Sequence, residues 1–512
     1  MSGPLRRAIT WALLASAVGF FVLHARVYWD WTEDDAFITF RYAQNLTHGA
    51  GLVFNPGERV EGYSNFSWVL TSAAALRAGL DPVEVSKIVG ILAGALCILV
   101  SWRLALRLVP EMGMTSLLAP FYLAISPVLV EHSVAGLETS LYALFLALAV
   151  LLATGPASAP RRALLGAVLL LLMVTRPEAP LLVLLLLGLR WGLAGPIAAQ
   201  GQGTERARVR RAVARDAGLL TVLFGAYYAW RSWYFGAPLP NTFYAKVQGG
   251  FAGIIDGVQY TLDFMRDSGG PLFIGLALLP LIVGRTRPGY WMALGIAAAY
   301  MAFVVISGGD WMYHYRFYAH VLPVLAALLA AGLEVLLGLP RPGTLRASAL
   351  YASLALVLLA THLGIFNTEL RIGRMVLPAV RSHNYLSQNY EELGRWFKDS
   401  TPPDASIAIS DVGAVGYFSE RRVLDMFGLI DTHIARLHGR MHYKGDAKYI
   451  LSRKPSYVVL VSLNDQGGGY SFQRIPDHDM NAQPEFHEEY ELIRTVPQYW
   501  QNEFLLVYRR RG

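Results

Sequence analysis

A succession of long apolar runs separated by short gaps constrains this chain more than any other feature. A segment that crosses hydrocarbon has no water to bond its backbone, so it must satisfy its peptide groups internally, as a helix. Such runs lie near residues 9–27, 85–106, 115–131, 137–154, 162–175, 178–194, 217–235, 271–284, 289–306, 318–338 and 346–366. Composition points the same way, with 54% hydrophobic and 16% charged residues against roughly 25% charged in soluble domains. The expected fold class is mostly α, a polytopic transmembrane helix bundle of about 11 spans. The runs at 162–175 and 271–284 are short, and losing either would invert everything after it.

Basic residues give the bundle an orientation. Arg6 and Arg7 precede the first run. Arg103 and Arg107, Arg161 and Arg162, Arg206 to Arg215, Arg285 and Arg287, and Arg341 and Arg346 occupy alternate gaps, as the positive-inside rule requires of cytoplasmic loops. This places the N-terminus in the cytoplasm of a multi-pass protein of the inner (cytoplasmic) membrane, with the residues after the last run outside. The net charge of +7 follows from these gaps. It forms no basic stripe with interleaved aromatics, so the expected partner is the lipid bilayer and not nucleic acid. The first run lacks a clear small-residue cleavage site and is taken as a span rather than a signal peptide. The lone Cys97 allows no internal disulfide and no cysteine metal site.

Two domains are expected: a transmembrane domain over 1–366, with a long outer loop at 28–84, and an extracytoplasmic α/β domain over 367–512. In the latter, 405–410, 457–461 and 504–508 have the apolar character of buried strands, and 385–398 the spacing of a helix. The run Gly467-Gly468-Gly469 suits a loop.

Chemistry concentrates at the predicted outer ends of the spans. In the loop at 28–84, Asp34 and Asp35 open the run Asp34-Asp35-Ala36-Phe37-Ile38-Thr39-Phe40-Arg41-Tyr42, whose spacing puts Asp35, Thr39 and Tyr42 on one side of a short helix. Carboxylates beside a membrane are costly unless they face water, metal or substrate. Carboxylates that hold hydroxyls and accept a proton, near flat aromatics such as Trp31, Tyr63 and Trp68, suit a sugar site. The competing reading makes the aspartates helix caps and the aromatics an interfacial belt, although one cap accounts for one carboxylate and not its neighbour.

Cations able to hold a phosphate fall on the same predicted side: Arg176 beside Glu178, Lys246 after Asn241, and Arg316 after Asp310 and His314. Snorkelling to lipid headgroups is the alternative for each. Glu138 and His132 form another outer polar island. Asp34, Asp35 and His314 are chemically able to bind a divalent metal, but no compact ligand spacing supports one, and neither metal nor cofactor is assigned.

The ordered series Asp34-Asp35-Ala36-Phe37-Ile38, Gly51-Leu52-Val53-Phe54-Asn55-Pro56-Gly57-Glu58, Glu61-Gly62-Tyr63-Ser64-Asn65, Gly136-Leu137-Glu138-Thr139, Arg176-Pro177-Glu178, Pro240-Asn241-Thr242-Phe243-Tyr244-Ala245-Lys246 and Gly308-Gly309-Asp310 resembles the GT-C class of integral membrane glycosyltransferases. Ser410 to Tyr417 and Val423 to Asp431 extend the likeness into the tail. The likeness is nearest to the branch of mycobacterial-type terminal β-arabinofuranosyltransferases and related bacterial proteins of cell wall biogenesis. It implies a polyprenyl-phosphate-linked sugar donor, a glycan or glycolipid acceptor that the domain over 367–512 helps to bind, and transfer on the outer membrane face. It further implies that Asp34 or Asp35 is the base of an inverting displacement and that the other orients the acceptor or restrains Arg41. Arg41, Tyr63, Glu138, Arg176, Glu178, Asn241, Lys246, Asp310, His314 and Arg316 are the candidate substrate-binding residues, with Arg176, Lys246 and Arg316 for the lipid phosphate. Asp411 and Asp425 suit either sugar contacts or strand-end turns.

The alternative from another class is a transporter or flippase of lipid-linked sugars. Its signature would be ionisable residues within spans and paired broken helices, whereas these spans are nearly free of charge. A ligase or a phosphoglycosyl transferase acting on a lipid uses the same kind of donor and remains open. A non-catalytic scaffold leaves the outer polar clusters without a purpose. The sugar itself is not fixed by the sequence.

Overall fold

The computed structural model describes residues 3–200, 206–246, 251–268, 271–338, 388–439, 441–464, 469–497 and 503–511. The chain divides into two compact units, each assembled from three stretches of sequence. The first comprises Met1–Trp29, Lys87–Tyr228 and Gly250–Arg374, and the second Asp30–Ser86, Ala229–Gly249 and Met375–Gly512. The loop at 28–84 and the tail therefore belong to one unit.

The first unit is helical. Among the described residues three helices, Pro4–Val27, Pro82–Ala105 and Pro288–Ser307, are long and apolar enough to cross a membrane. A fourth arises if Met114–Ile125 and Pro127–Ser133, bent by 60°, count as one span. The bend falls at Ser126-Pro127, where proline has no N–H to continue the helical ladder. The expected runs at 137–154, 178–194, 271–284 and 318–338 coincide with the shorter apolar helices Thr139–Ala153, Ala179–Gly192, Phe273–Val283 and Leu322–Leu337. Those at 162–175 and 217–235 fall in Ala159–Thr175 and Arg206–Phe235. The eleventh, 346–366, lies outside the described residues. Close backbone approach drives helix packing in such a bundle. A Cβ at Gly332 would stand 1.9 Å from the carbonyl oxygen of Leu276, so only glycine lets these two helices meet.

The second unit is built on a mixed six-stranded sheet. Its strands are β1 (Ser406–Ile409), β2 (Arg422–Asp425), β3 (Tyr457–Asn464), β4 (Tyr470–Ser471), β5 (Tyr490–Pro497) and β6 (Glu503–Arg510). Their order is β2-β1-β3-β6-β5, with β4 paired to β3. β2, β1 and β3 run parallel, while β6 is antiparallel to β3 and β5. The central strand β3 carries Val458, Val459 and Leu460, all fully buried, as a strand covered on both faces demands. One side packs Ala408, Leu424, Val458 and Leu460 against Ile450, Met480 and Phe486. The expected strands at 405–410, 457–461 and 504–508 correspond to β1, β3 and β6, and the expected helix at 385–398 is described from 388 to 400. β2 and β5 had no clear sequence signal.

Two segments of the loop at 28–84 attach to this sheet layer, and a third pairs with helix Arg206–Phe235. Helix Asp34–Thr47 packs on helix Gly413–Ser419 through Phe37 against Tyr417 and Phe418. Asn55 imitates a strand, donating to the carbonyl of Val423 (2.8 Å) and accepting from its N–H (3.0 Å). Glu61 pairs with Arg231, both buried.

Candidate active site

The adjacent aspartates have different partners. Asp34 accepts hydrogen bonds from the N–H groups of Gly413 (2.9 Å) and Ala414 (2.8 Å), the first residues of helix Gly413–Ser419. Its carboxylate thus caps a helix almost 380 residues away in sequence. The approach requires glycine, since a Cβ at position 413 would lie 1.9 Å from the Asp34 carbonyl oxygen. Asp35 instead accepts a 2.8 Å bond from Lys246 Nζ. Both side chains of that pair keep some access to solvent, 16% for Asp35 and 28% for Lys246.

Around them the tail supplies further charge. Asp411, just beyond β1, accepts from Tyr390 (2.6 Å) and from Arg474. Burial alone would raise Asp411, but the Arg474 guanidinium and the two hydrogen bonds outweigh it and hold this carboxyl below the usual range. Asp34 moves the opposite way, raised first by burial and then by the charge of Asp411, against its two backbone bonds. His442 is half-buried, and burial lowers its pKa in a field set by Asp411, Arg474, Lys246 and Asp35. The result is a partly open cluster of alternating charge that includes three carboxyl groups, Asp34, Asp35 and Asp411, two cations, Lys246 and Arg474, and the imidazole of His442. Among the described residues no three His, Cys, Asp or Glu side chains are placed to hold a metal ion.

Several other expected residues in this unit are engaged by protein. Arg41, 3% exposed, donates to the Phe54 carbonyl (3.3 Å) and to Gln44 Oε1 (2.8 Å) rather than to either aspartate. Asn241 donates to the carbonyls of Gly428, Leu429 and Asp431. The Tyr63 ring is buried against Tyr42 at 4.9 Å and Phe235 at 6.1 Å, and Trp31 and Trp68 are buried as well. Asp425 caps its own loop, accepting from the N–H groups of Phe427, Gly428 and Ile430, so it takes the strand-end role.

The remaining candidates form pairs within the first unit. Arg176 sits between Glu138 (2.8 Å) and Glu178 (2.6 Å), all three nearly inaccessible. Arg316 pairs with Asp310, and His314 with Glu131. His314 and the following Tyr315 hold left-handed backbone conformations, φ 48° and 55°, a strain that persists only where surrounding structure enforces it.

Sequence reasoning found Asp34, Asp35 and Lys246 but missed Arg474, His442 and Tyr390. Their local sequences have no recurring pattern, and only the fold of the tail brings them to the aspartates.

Comparison with known proteins extends this picture. A family model described as "Domain of unknown function (DUF8728)" matches residues 381–508. The terminal beta-(1->2)-arabinofuranosyltransferase of Corynebacterium glutamicum is 29% identical over 373 residues, covering 64% of this chain and 51% of that protein. The chain thus spans about half the length of this curated relative. The crystal structure of ArnT from Cupriavidus metallidurans bound to undecaprenyl phosphate is similar with TM-score 0.55 and 14% identity, over 99% of this chain and 98% of that one. The oligosaccharyltransferase of Archaeoglobus fulgidus in its apo form is similar with TM-score 0.54 and 12% identity, over 88% and 69% of the two chains. The chain therefore has the fold of the GT-C class of integral membrane glycosyltransferases, with its sequence likeness falling near the arabinofuranosyltransferase branch.

Proposed function

We propose that this protein is a glycosyltransferase that moves a sugar from a polyprenyl-phosphate donor to a cell-envelope glycan or glycolipid on the outer face of the cytoplasmic membrane. The observation that carries this reading is the accessible Asp35–Lys246 pair beside a second, immobilised carboxylate. The Corynebacterium relative supports an arabinofuranosyl group as the sugar, and the lipid in the ArnT structure supports a polyprenyl donor. The basic gaps support eleven crossings with the tail outside.

Asp35 is the base. A donor phosphate competes for Lys246, and as the ammonium turns to the phosphate, Asp35 is released to accept the acceptor hydroxyl proton. The acceptor oxygen bonds to the anomeric carbon, the bond from that carbon to the phosphate oxygen breaks, and its electron pair leaves with the polyprenyl phosphate. Lys246 stabilises that growing negative charge, with Arg474 as the second cation of the cluster. Asp34 serves the site by fixing the start of helix Asp34–Thr47, and with it the position of Asp35. Arg176 and Arg316, each neutralised by carboxylates, support the bundle.

The test is transfer of labelled sugar from a panel of polyprenyl-phosphate donors by purified protein in lipid, comparing wild type with Asp35→Asn at matched folded yield. A loss of about 10²–10⁴-fold in turnover is expected for the variant. Equal turnover by the variant, or no turnover of any donor by wild type, overturns the reading and brings forward transport of lipid-linked sugars.

A further inference from the structure

Helix Phe251–Asp267 of the first unit is not among the apolar runs of the sequence, because carboxylates and an arginine interrupt it. At about 100° per residue its side chains fall into three arcs of roughly equal width. One arc is packed on protein. A Cβ at Gly257 would run into the carbonyl of Val305, Thr261 accepts from the Tyr318 hydroxyl at 2.7 Å, and the Phe264 ring stacks on that of Tyr318 at 3.9 Å. These contacts fix how the helix is turned about its axis. A second arc is polar, with Asp256, Gln259, Asp263, Arg266 and Asp267, and Arg266 bridges Asp263 (3.0 Å) and Asp267 (2.9 Å). The third arc carries Phe251, Ile254, Ile255, Val258 and Leu262, each between 39% and 78% exposed.

Five large apolar side chains on one fixed face call for a cover. With 17 residues, about 25 Å of helix, and three aspartates, the segment is short and polar for a crossing of about 30 Å. An apolar arc beside a polar one instead suits a helix lying along the surface of a bilayer, with hydrocarbon on one side and water on the other. The apolar arc also continues the face that the bundle turns to lipid. Helix Pro271–Val283 follows directly, meets Phe264 through Phe273 at 6.4 Å, and exposes Ile274, Leu281 and Ile282 in an all-apolar sequence. The polar arc holds three carboxylates against one cation, so apolar burial and not attraction to anionic headgroups keeps such a helix down.

We propose that helix Phe251–Asp267 lies in the lipid–water interface of the outer leaflet, with Phe251, Ile254, Ile255, Val258 and Leu262 among the acyl chains and its aspartates in water. It is tied to the loop after helix Pro288–Ser307, since Tyr260 lies against Gly309 and Asp267 accepts from the Tyr315 hydroxyl (2.5 Å). The lipid surface therefore sets the height of the strained His314-Tyr315 segment and of the Arg316–Asp310 pair beside it. The choice of leaflet rests on the orientation proposed above.

The experiment is power saturation of a nitroxide on the full chain in phosphatidylcholine nanodiscs. The buried Cys97 is replaced by serine and one cysteine is introduced at a time, as Ile255→Cys, Val258→Cys, Leu262→Cys, Gln259→Cys or Asp263→Cys. Labels at 255, 258 and 262 should be relaxed by oxygen more than by a water-soluble nickel chelate and lie about 5–10 Å below the headgroups. Labels at 259 and 263 should show the reverse, although they follow directly on 258 and 262 in the chain. Three results overturn the proposal: nickel reaching all five positions, neither reagent reaching 255, 258 and 262 because protein covers them, or depth changing steadily by about 1.5 Å per residue because the helix crosses. The leaflet is read separately, by labelling Gln259→Cys on sealed spheroplasts with a membrane-impermeant maleimide. Labelling supports the outer leaflet. Its failure, with depths as expected, overturns the outer-face reading of the enzyme and the choice of leaflet, but not the seating of the helix.

Discussion

The first unit and the second both bring cations onto carboxylates, yet the pairs differ in what they can do. Arg176 with Glu138 and Glu178 is sealed, with side-chain exposures of 7%, 3% and 5%. Lys246 with Asp35, and Arg474 with Asp411, retain access to solvent on every member. A sealed pair cannot exchange partners without stranding a charge in a low dielectric, so it acts as a structural joint. An open pair contributes little to stability and loses little by exchanging its partner for a substrate. Accessibility separates these pairs, and it does not follow the division into units, since Arg231 with Glu61 in the second unit is as sealed as Arg176.

That contrast can be broken in several ways. The largest effect belongs to Asp35→Asn, where turnover should fall about 10²–10⁴-fold with the unfolding midpoint of the lipid-reconstituted protein nearly unchanged. A large stability loss instead would make Asp35 a joint like Arg176. Next is Arg176→Met, expected to destabilise by about 3–5 kcal/mol because two buried glutamates lose their partner. Combining it with Glu138→Gln and Glu178→Gln should recover much of that loss in denaturation measurements. If the single variant is neutral, the sealed pair is no joint.

Gly413→Ala should cost about 1–3 kcal/mol through the clash with Asp34 and should lower turnover by shifting the helix that carries Asp35. Lys246→Gln sharpens the other side of the comparison. Its stability change should stay below about 1 kcal/mol, while the donor KM rises and long-lived folding is kept.

The smallest effect is on pH. Burial pushes the carboxyls of Asp425 and Asp477 up to about 7 from 3.8. The folded protein therefore holds these protons at pH values where the unfolded chain has released them. The contribution of these two groups to stability should be greatest below about pH 4 and decline as pH rises toward 7, whereas Asp411, held low by Arg474, contributes above the ordinary carboxylate range and loses that contribution in acid. Asp477→Asn should flatten part of that decline, read as a few °C in midpoint across the range.

Much of the helical unit was legible because a crossing segment must be apolar throughout, and ten of the eleven runs coincide with described helices. β1, β3 and β6 were legible as buried apolar runs. β2 was hidden by Arg422 and Asp425 at its ends, and β5 by Leu492 and Ile493, adjacent and both exposed, where a register shift between Leu492 and Arg494 breaks the alternation. In the site, Asp35 and Lys246 stood out within dense polar motifs, but their pairing over 211 residues did not, because spacing informs only about neighbours on one element. The aromatics mislead for a physical reason. Trp31, Tyr63 and Trp68 have the composition of a sugar platform, but composition does not tell whether a ring face is open or covered. Asn55 and Asn241 stood out equally and prove to hold backbone together.

The Asp34 cap also has a consequence for how the protein is made. The aspartate leaves the ribosome early, and its partners Gly413 and Ala414 follow some 380 residues later. At 5–20 residues per second this is an interval of roughly 20–80 s. Through that interval the acidic loop has no helix to cap and Asp35 no fixed position. A chain truncated before Gly413 carries the motif and not the site, so the acidic cluster cannot assemble until residues 413 and 414 have been made.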